Sequence, residues 1–278
     1  MRPSRLLCLI GGVIAFGPLL GIAFRQDQVG SELQTRDSEA PPPKPNIVAC
    51  GGAVVNSVGR LLGCGADGCA WQLDIGDWLF NSTSGSAILK VAKDASSQKS
   101  VEKDCSFAKK MEAAGVQNAM KCLGSCESGG NKAVALYPFL QNKMEFGPNP
   151  IDLGQMNQHA VGMMLRTAWQ MLHGGFVNTD QANNVLYSSE TGDPLFIDFG
   201  RAVQVTKPVT SSIKRRRLTM MVRSMVYDLV IGTVPVNLCQ FARDTVRKLQ
   251  TDMPPSEFVA PFVDEALEVV ERRWEQIC

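Results

Sequence analysis

The hydrophobic pattern of the chain changes character three times. Residues 6–24 form an uncharged, mostly apolar run between Arg5 and Arg25. Residues 25–46 are polar and carry Pro41-Pro42-Pro43 and Pro45, which predicts an extended tether rather than a packed element. From Ile47 the pattern turns strand-like, with β-prone runs at 57–62, 69–75 and 86–91 separated by turn residues. Val101, Cys105, Ala108 and Met111 then recur every three or four positions, so a helix is expected over 97–114, closed by Gly115. Strand signals return at 120–122 and 133–136 and stop at Tyr137-Pro138, because proline cannot donate to a ladder. Beyond Pro150 the helical period dominates, over 153–172, 218–231, 237–249 and 256–277, interrupted by one hairpin at 184–197. A β-rich first half with one helix, followed by an α-rich second half, predicts an α+β fold with two lobes and a cleft between them.

The apolar run changes the expected compartment. Arg2 and Arg5 before it, and the small residues Gly21 and Ala23 at its end, have the layout of a secretory signal. The run is also close to the roughly 20 apolar residues that span a bilayer, so an uncleaved type II anchor is the second reading. Either one puts residues 47–278 in the secretory lumen or outside the cell. The cysteines agree: apart from Cys8 there are Cys50, Cys64, Cys69, Cys105, Cys122, Cys126, Cys239 and Cys278, an even set suited to disulfides whose connectivity spacing does not reveal. Cys64 and Cys69 flank one loop tip and are either bridged or unpaired. A structural zinc site is a poor fit, because no second Cys or His pair accompanies Cys122 and Cys126. With 45% hydrophobic residues the chain can bury a sizeable core, and a net charge of +1 gives no basis for nucleic-acid binding.

Candidate chemistry is concentrated in five places. Gly63, Gly65 and Gly68 form a G-x-G-x-x-G run between two predicted strands, where glycines let backbone N–H groups approach phosphates. Lys90 lies inside the apolar strand Ala87-Ile88-Leu89-Lys90-Val91, and a lysine there calls for an anionic partner. The carboxylate is expected from the 97–114 helix: Asp104 aligns with the apolar stripe, while Glu102 has the longer reach. Thr179 to Asn184 carries Asp180 and Asn184, and Asp198-Phe199-Gly200 follows the hairpin. An amide and an acid around one hairpin suit a hard divalent cation.

In this order these elements resemble the protein-kinase-like superfamily over about residues 59–203. Gly63 to Gly68 are similar to its glycine loop, Lys90 to its strand lysine, Tyr137 to Leu140 to its hinge, Asp180 to Leu186 to its catalytic loop, and Asp198 to Gly200 to its D-F-G. The resemblance implies a two-lobed protein-kinase-like fold, with a β-rich N-lobe (47–136), a hinge (137–141) and a shortened, mostly helical C-lobe (142–278). It also implies ATP gripped by Lys90 beneath the glycine loop, with Glu102 or Asp104 behind the lysine and Tyr137 at the hinge. Mg2+ would be held by Asn184 and Asp198, and Asp180 would act on the acceptor hydroxyl.

The sequence departs from the family pattern in several ways. Only three residues separate Asp180 from Asn184 instead of four, Asn178-Thr179 replaces the usual H-R, and no A-P-E follows Gly200. His173 lies too far upstream to serve as that H, and a packing or capping role is expected for it. The implied protein is a compact atypical kinase of the secretory pathway acting on a protein or glycan hydroxyl. A pseudokinase that binds nucleotide or acts as a scaffold is the second reading, and a small-molecule kinase the third. Lys214-Arg215-Arg216-Arg217 is either a solvated helix start or a surface for an acidic partner or a membrane.

Overall fold

A six-stranded antiparallel sheet forms where the strand-like runs were expected. The computed structural model describes residues 42–47, 49–50, 53–75, 85–140, 143–145, 156–179, 181, 184–188 and 190–278. The expected signal or anchor, most of the tether, Asp180 and the far end of the hinge lie outside the described residues. The sheet comprises β1 (Ala49–Cys50), β2 (Ala53–Cys64), β3 (Gly68–Ile75), β4 (Gly85–Ala92), β5 (Lys121–Ser128) and β6 (Asn131–Tyr137), in the order β1-β2-β3-β4-β6-β5. Its two edge strands approach one another, and the Cys50–Cys126 disulfide joins them. The sheet is therefore curled, and the edge groups that would otherwise be left open face each other.

Curling gives the sheet an inner and an outer face. The inner face holds Val55, Val58, Trp71, Leu73, Leu89 and many small residues, including Ala87, Ala133 and Ala135. Small side chains fit the narrow interior of a strongly curled sheet. The outer face carries helix α1 (Gln98–Ala113) against β4, β5 and β6. Val101, Cys105, Ala108 and Met111 point inward as the periodicity predicts, and Cys105–Cys122 fastens α1 to β5. Gly115, at φ 76°, ends the helix in the left-handed conformation.

The remaining strands form two small ladders. β7 (Lys143–Glu145), β9 (Val185–Ser188) and β10 (Pro194–Phe196) make a three-stranded sheet, and β8 (Phe176–Val177) pairs with β11 (Val203–Gln204). The helices are α2 (Gln158–His173), α3 (Ser212–Tyr227), α4 (Cys239–Asp252) and α5 (Ala260–Ile277). Together these elements make a mixed α+β fold with a second, larger core around Trp169, Trp274, Phe176, Phe196 and Phe199.

Several helix boundaries differ from expectation, and at α2 and α5 the first turn shows what fixes or tolerates the start. α2 begins at Gln158 because the Asn157 side chain accepts from the Ala160 N–H (2.9 Å), satisfying a donor of the first turn. α3 begins at Ser212, six residues before the first apolar position that signalled it. It ends in a π-helical turn over Asp228–Gly232. α5 begins at Ala260, with Pro261 in its first turn, where the missing N–H costs nothing.

All eight cysteines in the described residues are paired, as Cys50–Cys126, Cys64–Cys69, Cys105–Cys122 and Cys239–Cys278. This content is consistent with an oxidising compartment. Among the described residues no single helix is long and apolar enough to cross a membrane.

Candidate functional site

Two ladders position the site. β8 leads into the loop that ends at Asn184, β9 leaves it, and the segment from Ile197 to Ala202 runs from β10 to β11. Because β8 pairs with β11 and β9 with β10, the two loops are pressed together. The Asn178 side-chain amide donates to the Asp198 carbonyl (3.0 Å), and the Ile197 N–H donates to the Asn184 carbonyl (2.9 Å). Gln181 links both sides, accepting from Asn178 (3.1 Å) and donating to the Asn184 carbonyl (3.1 Å). Asn178 and Gln181 are fully buried, so these bonds are made away from water and fix the loops firmly.

Asp198 adopts φ 55°, a left-handed conformation that is uncommon for a residue with a side chain. Such backbone is kept where surrounding contacts overdetermine it, commonly at functional sites. Here the following N–H, that of Phe199, donates to Asp104 Oδ1, and Phe199 itself is buried. A Cβ on Gly200 would collide with the Ser100 hydroxyl, so only glycine lets this turn lie against α1.

Lys90 comes from the centre of β4, opposite Ala70 and Val134. Its ammonium donates to Asp104 Oδ2 (2.5 Å) and Asp198 Oδ1 (2.9 Å). Its side chain is only 14% exposed, and that of Asp104 is 2% exposed. Burial alone would lower the Lys90 pKa, but the two carboxylates outweigh it and raise the value. Burial also pushes the Asp104 carboxyl up to about 6, opposed by Lys90 and reinforced by Asp198. Asp104 therefore gives up its proton only near neutral pH.

The choice between the two helix acids is thereby settled. Asp104 faces Lys90, whereas Glu102 points to Lys132 (3.9 Å) with about half its side chain exposed. Glu102 does not line the cleft, because the buried face of α1 carries Asp104 together with Val101, Cys105, Ala108 and Met111.

The Lys90 cluster forms part of the wall of a cleft of about 470 Å³. Its lining includes Gly63, Gly65 and Gly68 on one side, Asn184 and Asp198 on another, and apolar Ile88, Leu136, Leu186 and Ile197 between them. This size and mixture suit a small organic ligand with a charged end. A side chain on Gly63 or Gly65 would meet nothing within 4 Å, whereas one on Gly68 would strike the Val91 carbonyl. Gly68 is thus required by strand pairing. The Gly65 N–H is already taken by the Gly68 carbonyl (2.8 Å), closing the turn that Cys64–Cys69 also closes.

Tyr137 is not among the cleft-lining residues; its ring lies 5.9 Å from the Lys121 ammonium. His173 contacts the Pro254 carbonyl (2.6 Å) through Nδ1, in keeping with a packing role. Asp180 lies outside the described residues, but its neighbour Thr179 is anchored: the Ser224 hydroxyl bonds to the Thr179 carbonyl (3.1 Å) and to Asp228 (2.7 Å).

Sequence reasoning missed Ser100, Asn178, Gln181 and the Ser224–Asp228 pair. For Asn178 a signal existed, since it occupies the place of the expected H-R. Ser100 and Ser224 act through contacts with residues distant in sequence, whereas Gln181 bonds within its own loop, where no periodicity marks it. No protein-family model and no curated protein matches the chain.

Proposed function

We propose that the chain is an ATP- and Mg2+-dependent phosphotransferase with a two-lobed, protein-kinase-like arrangement, acting in the secretory pathway on a hydroxyl of a protein or glycan. The observation that carries this reading is Lys90, held between Asp104 and Asp198 where the glycine loop and Asn184 face a common cleft. One ammonium between two carboxylates leaves excess negative charge once both acids are ionised, and a hard cation would offset it. Asp198 and Asn184, an acid and an amide oxygen on the same cleft wall, are the donor chemistry that magnesium takes. Bound there, the ion would neutralise phosphate charge during transfer.

The chain's own residues would do the positioning. Lys90 would turn part of its ammonium toward the inner phosphates, while Asp104 keeps it from swinging away. The apolar side chains Ile88, Leu136, Leu186 and Ile197 would flank the base and exclude water. Arg201, which also lines the cleft, would face the outer phosphates. Asp180 would orient the acceptor hydroxyl. Phosphoryl transfer needs this kind of alignment and charge stabilisation, not a covalent protein nucleophile. The shortened spacing between Asp180 and Asn184 favours a second reading, a pseudokinase that binds nucleotide without turnover.

Thermal unfolding with ATP, with and without Mg2+, tests the common part of both readings. Ligand at a hundred times Kd adds about 2.7 kcal/mol to folding stability, and Lys90→Met removes that gain. Absence of a shift with every nucleotide tried would sink both. Where binding is present, phosphate transfer that falls roughly 10²–10³-fold in Asp198→Asn identifies an enzyme; no transfer by the wild type identifies the pseudokinase.

A further inference from the structure

The chain carries a net charge of only +1, yet α3 holds Lys214, Arg215, Arg216, Arg217 and Arg223 with no acid among its residues. Four of these cations crowd the first turns, at the positive end of the helix dipole, where they repel both it and each other. Arg215 lies over the Phe262 ring. The buried positions Leu218, Met221, Val222, Met225 and Val226 define the packed face of α3. Helical spacing places Ile213, Arg216, Arg217, Met220 and Arg223 on the opposite face. Ile213 is 80% exposed and Met220 64%, so this solvent face alternates large apolar groups with arginines.

Further cations lie on α1 and at the cleft wall. Burial lowers the pKa of Lys103 on α1, and the charge of Arg217 lowers it further. Lys103 is held over the Phe107 ring (5.3 Å). One turn earlier on α1, Ser100 abuts Gly200, and the next residue, Arg201, lines the cleft. Among the described residues, none of Lys103, Arg201, Arg216, Arg217 and Arg223 forms a salt bridge. Unpaired cations grouped in this way raise the local positive potential and attract anions.

We propose that Arg216, Arg217 and Arg223, with Ile213 and Met220 between them and Lys103 beside them, form a docking surface for an acidic polypeptide segment of the phosphate acceptor. Its carboxylates pair with the arginines, and its apolar side chains cover Ile213 and Met220. Arg201 at the cleft wall offers the same segment a further cation beside the reacting phosphate, which favours a substrate chain over a lipid surface. As a statement about the acceptor this rests on the phosphotransferase reading; as a binding surface it is separable from it.

The test uses the full chain and two short fluorescent peptides, one with a serine followed by alternating glutamate and leucine, the other with glutamine for glutamate. Anisotropy without nucleotide is expected to show the acidic peptide binding about tenfold more tightly at low salt. In Arg216→Glu/Arg217→Glu that preference disappears while the thermal response to ATP is retained. Equal affinity for the two peptides, or an undiminished preference in the variant, overturns the proposal. So does recruitment to phosphatidylserine vesicles without discrimination between the peptides. If charge reversal prevents folding, Arg216→Gln/Arg217→Gln removes the same charges, and the same outcomes decide. Peptide preference with no response to any nucleotide would leave the surface standing and remove the phosphotransferase.

Discussion

The interior of the curled sheet and the core of the helical half are stabilised by different means. Inside the sheet, half of the buried apolar cluster is alanine or cysteine: Ala87, Ala133, Ala135, Cys50, Cys69 and Cys126. The helical half is built on Trp169, Trp274, Phe196 and Phe199 with many methionines and leucines. Small side chains remove less apolar surface from water, at about 25 cal/mol per Å². Three of the four disulfides, Cys50–Cys126, Cys64–Cys69 and Cys105–Cys122, have both ends in the sheet or α1. Where space limits burial, covalent closure of the chain takes its place.

Replacing a large side chain in the helical core sharpens this contrast most. Trp274→Ala, at a site 1% exposed in α5, is expected to cost about 5 kcal/mol, read from denaturant midpoints. A loss under about 1 kcal/mol would show that the helical half does not depend on burial. The counterpart in the sheet is Cys50→Ser with Cys126→Ser. It opens a closure of 76 residues in sequence and is expected to lose about 4 kcal/mol, although it removes little apolar area. Unchanged stability after that double substitution would mean that hydrogen bonding and the buried cluster hold the curl without the disulfide.

A third, smaller effect comes from the junction of the two cores, where Asp104 sits. Its pKa is raised in the folded state, from 3.8 to about 6, mainly by burial. The folded protein therefore binds this proton more tightly than the unfolded chain does. The associated stability is fully present below about pH 3.8 and is lost as pH rises through about 6. Comparison with Asp104→Asn between pH 4 and pH 7 is expected to isolate a decline of ~3 kcal/mol at most. Lys90 behaves alike at the alkaline end, its contribution disappearing only above its ordinary 10.5. Parallel pH curves for wild type and variant would contradict the buried, proton-holding carboxyl.

These differences also explain what was legible in the sequence. The stripe Val101, Cys105, Ala108 and Met111 identified α1, because a helix packed on one face writes its period into the chain. The hairpin around Gly192, at φ 75°, was legible from its turn residues, as Ser188 and Asp193 close it locally. Lys90 stood out because an ammonium inside an apolar strand has few explanations. The short pairs β8 and β11 were not legible: two residues per strand carry no alternation, and their pairing spans the whole hairpin. The long-range disulfide partners were hidden for the same reason. Cys50 meets Cys126 only once the sheet has curled. At the site, the stripe already contained the answer between Asp104 and Glu102, since side-chain reach matters less than which face of the helix is packed.

The attachment of α1 has a mechanical consequence. Cys105 is bonded to Cys122, Asp104 receives the Phe199 N–H, and Ser100 fills the space that Gly200 leaves open. Two adjacent turns of the helix are thus tied to a strand on one side and to the Asp198 turn on the other. While these ties hold, rotating α1 as a lever would drag the Asp198 turn with it, so Asp104 cannot be withdrawn from Lys90 by itself. Parting Lys90 from Asp104 would therefore require α1 and the Asp198 turn to move together, as one piece.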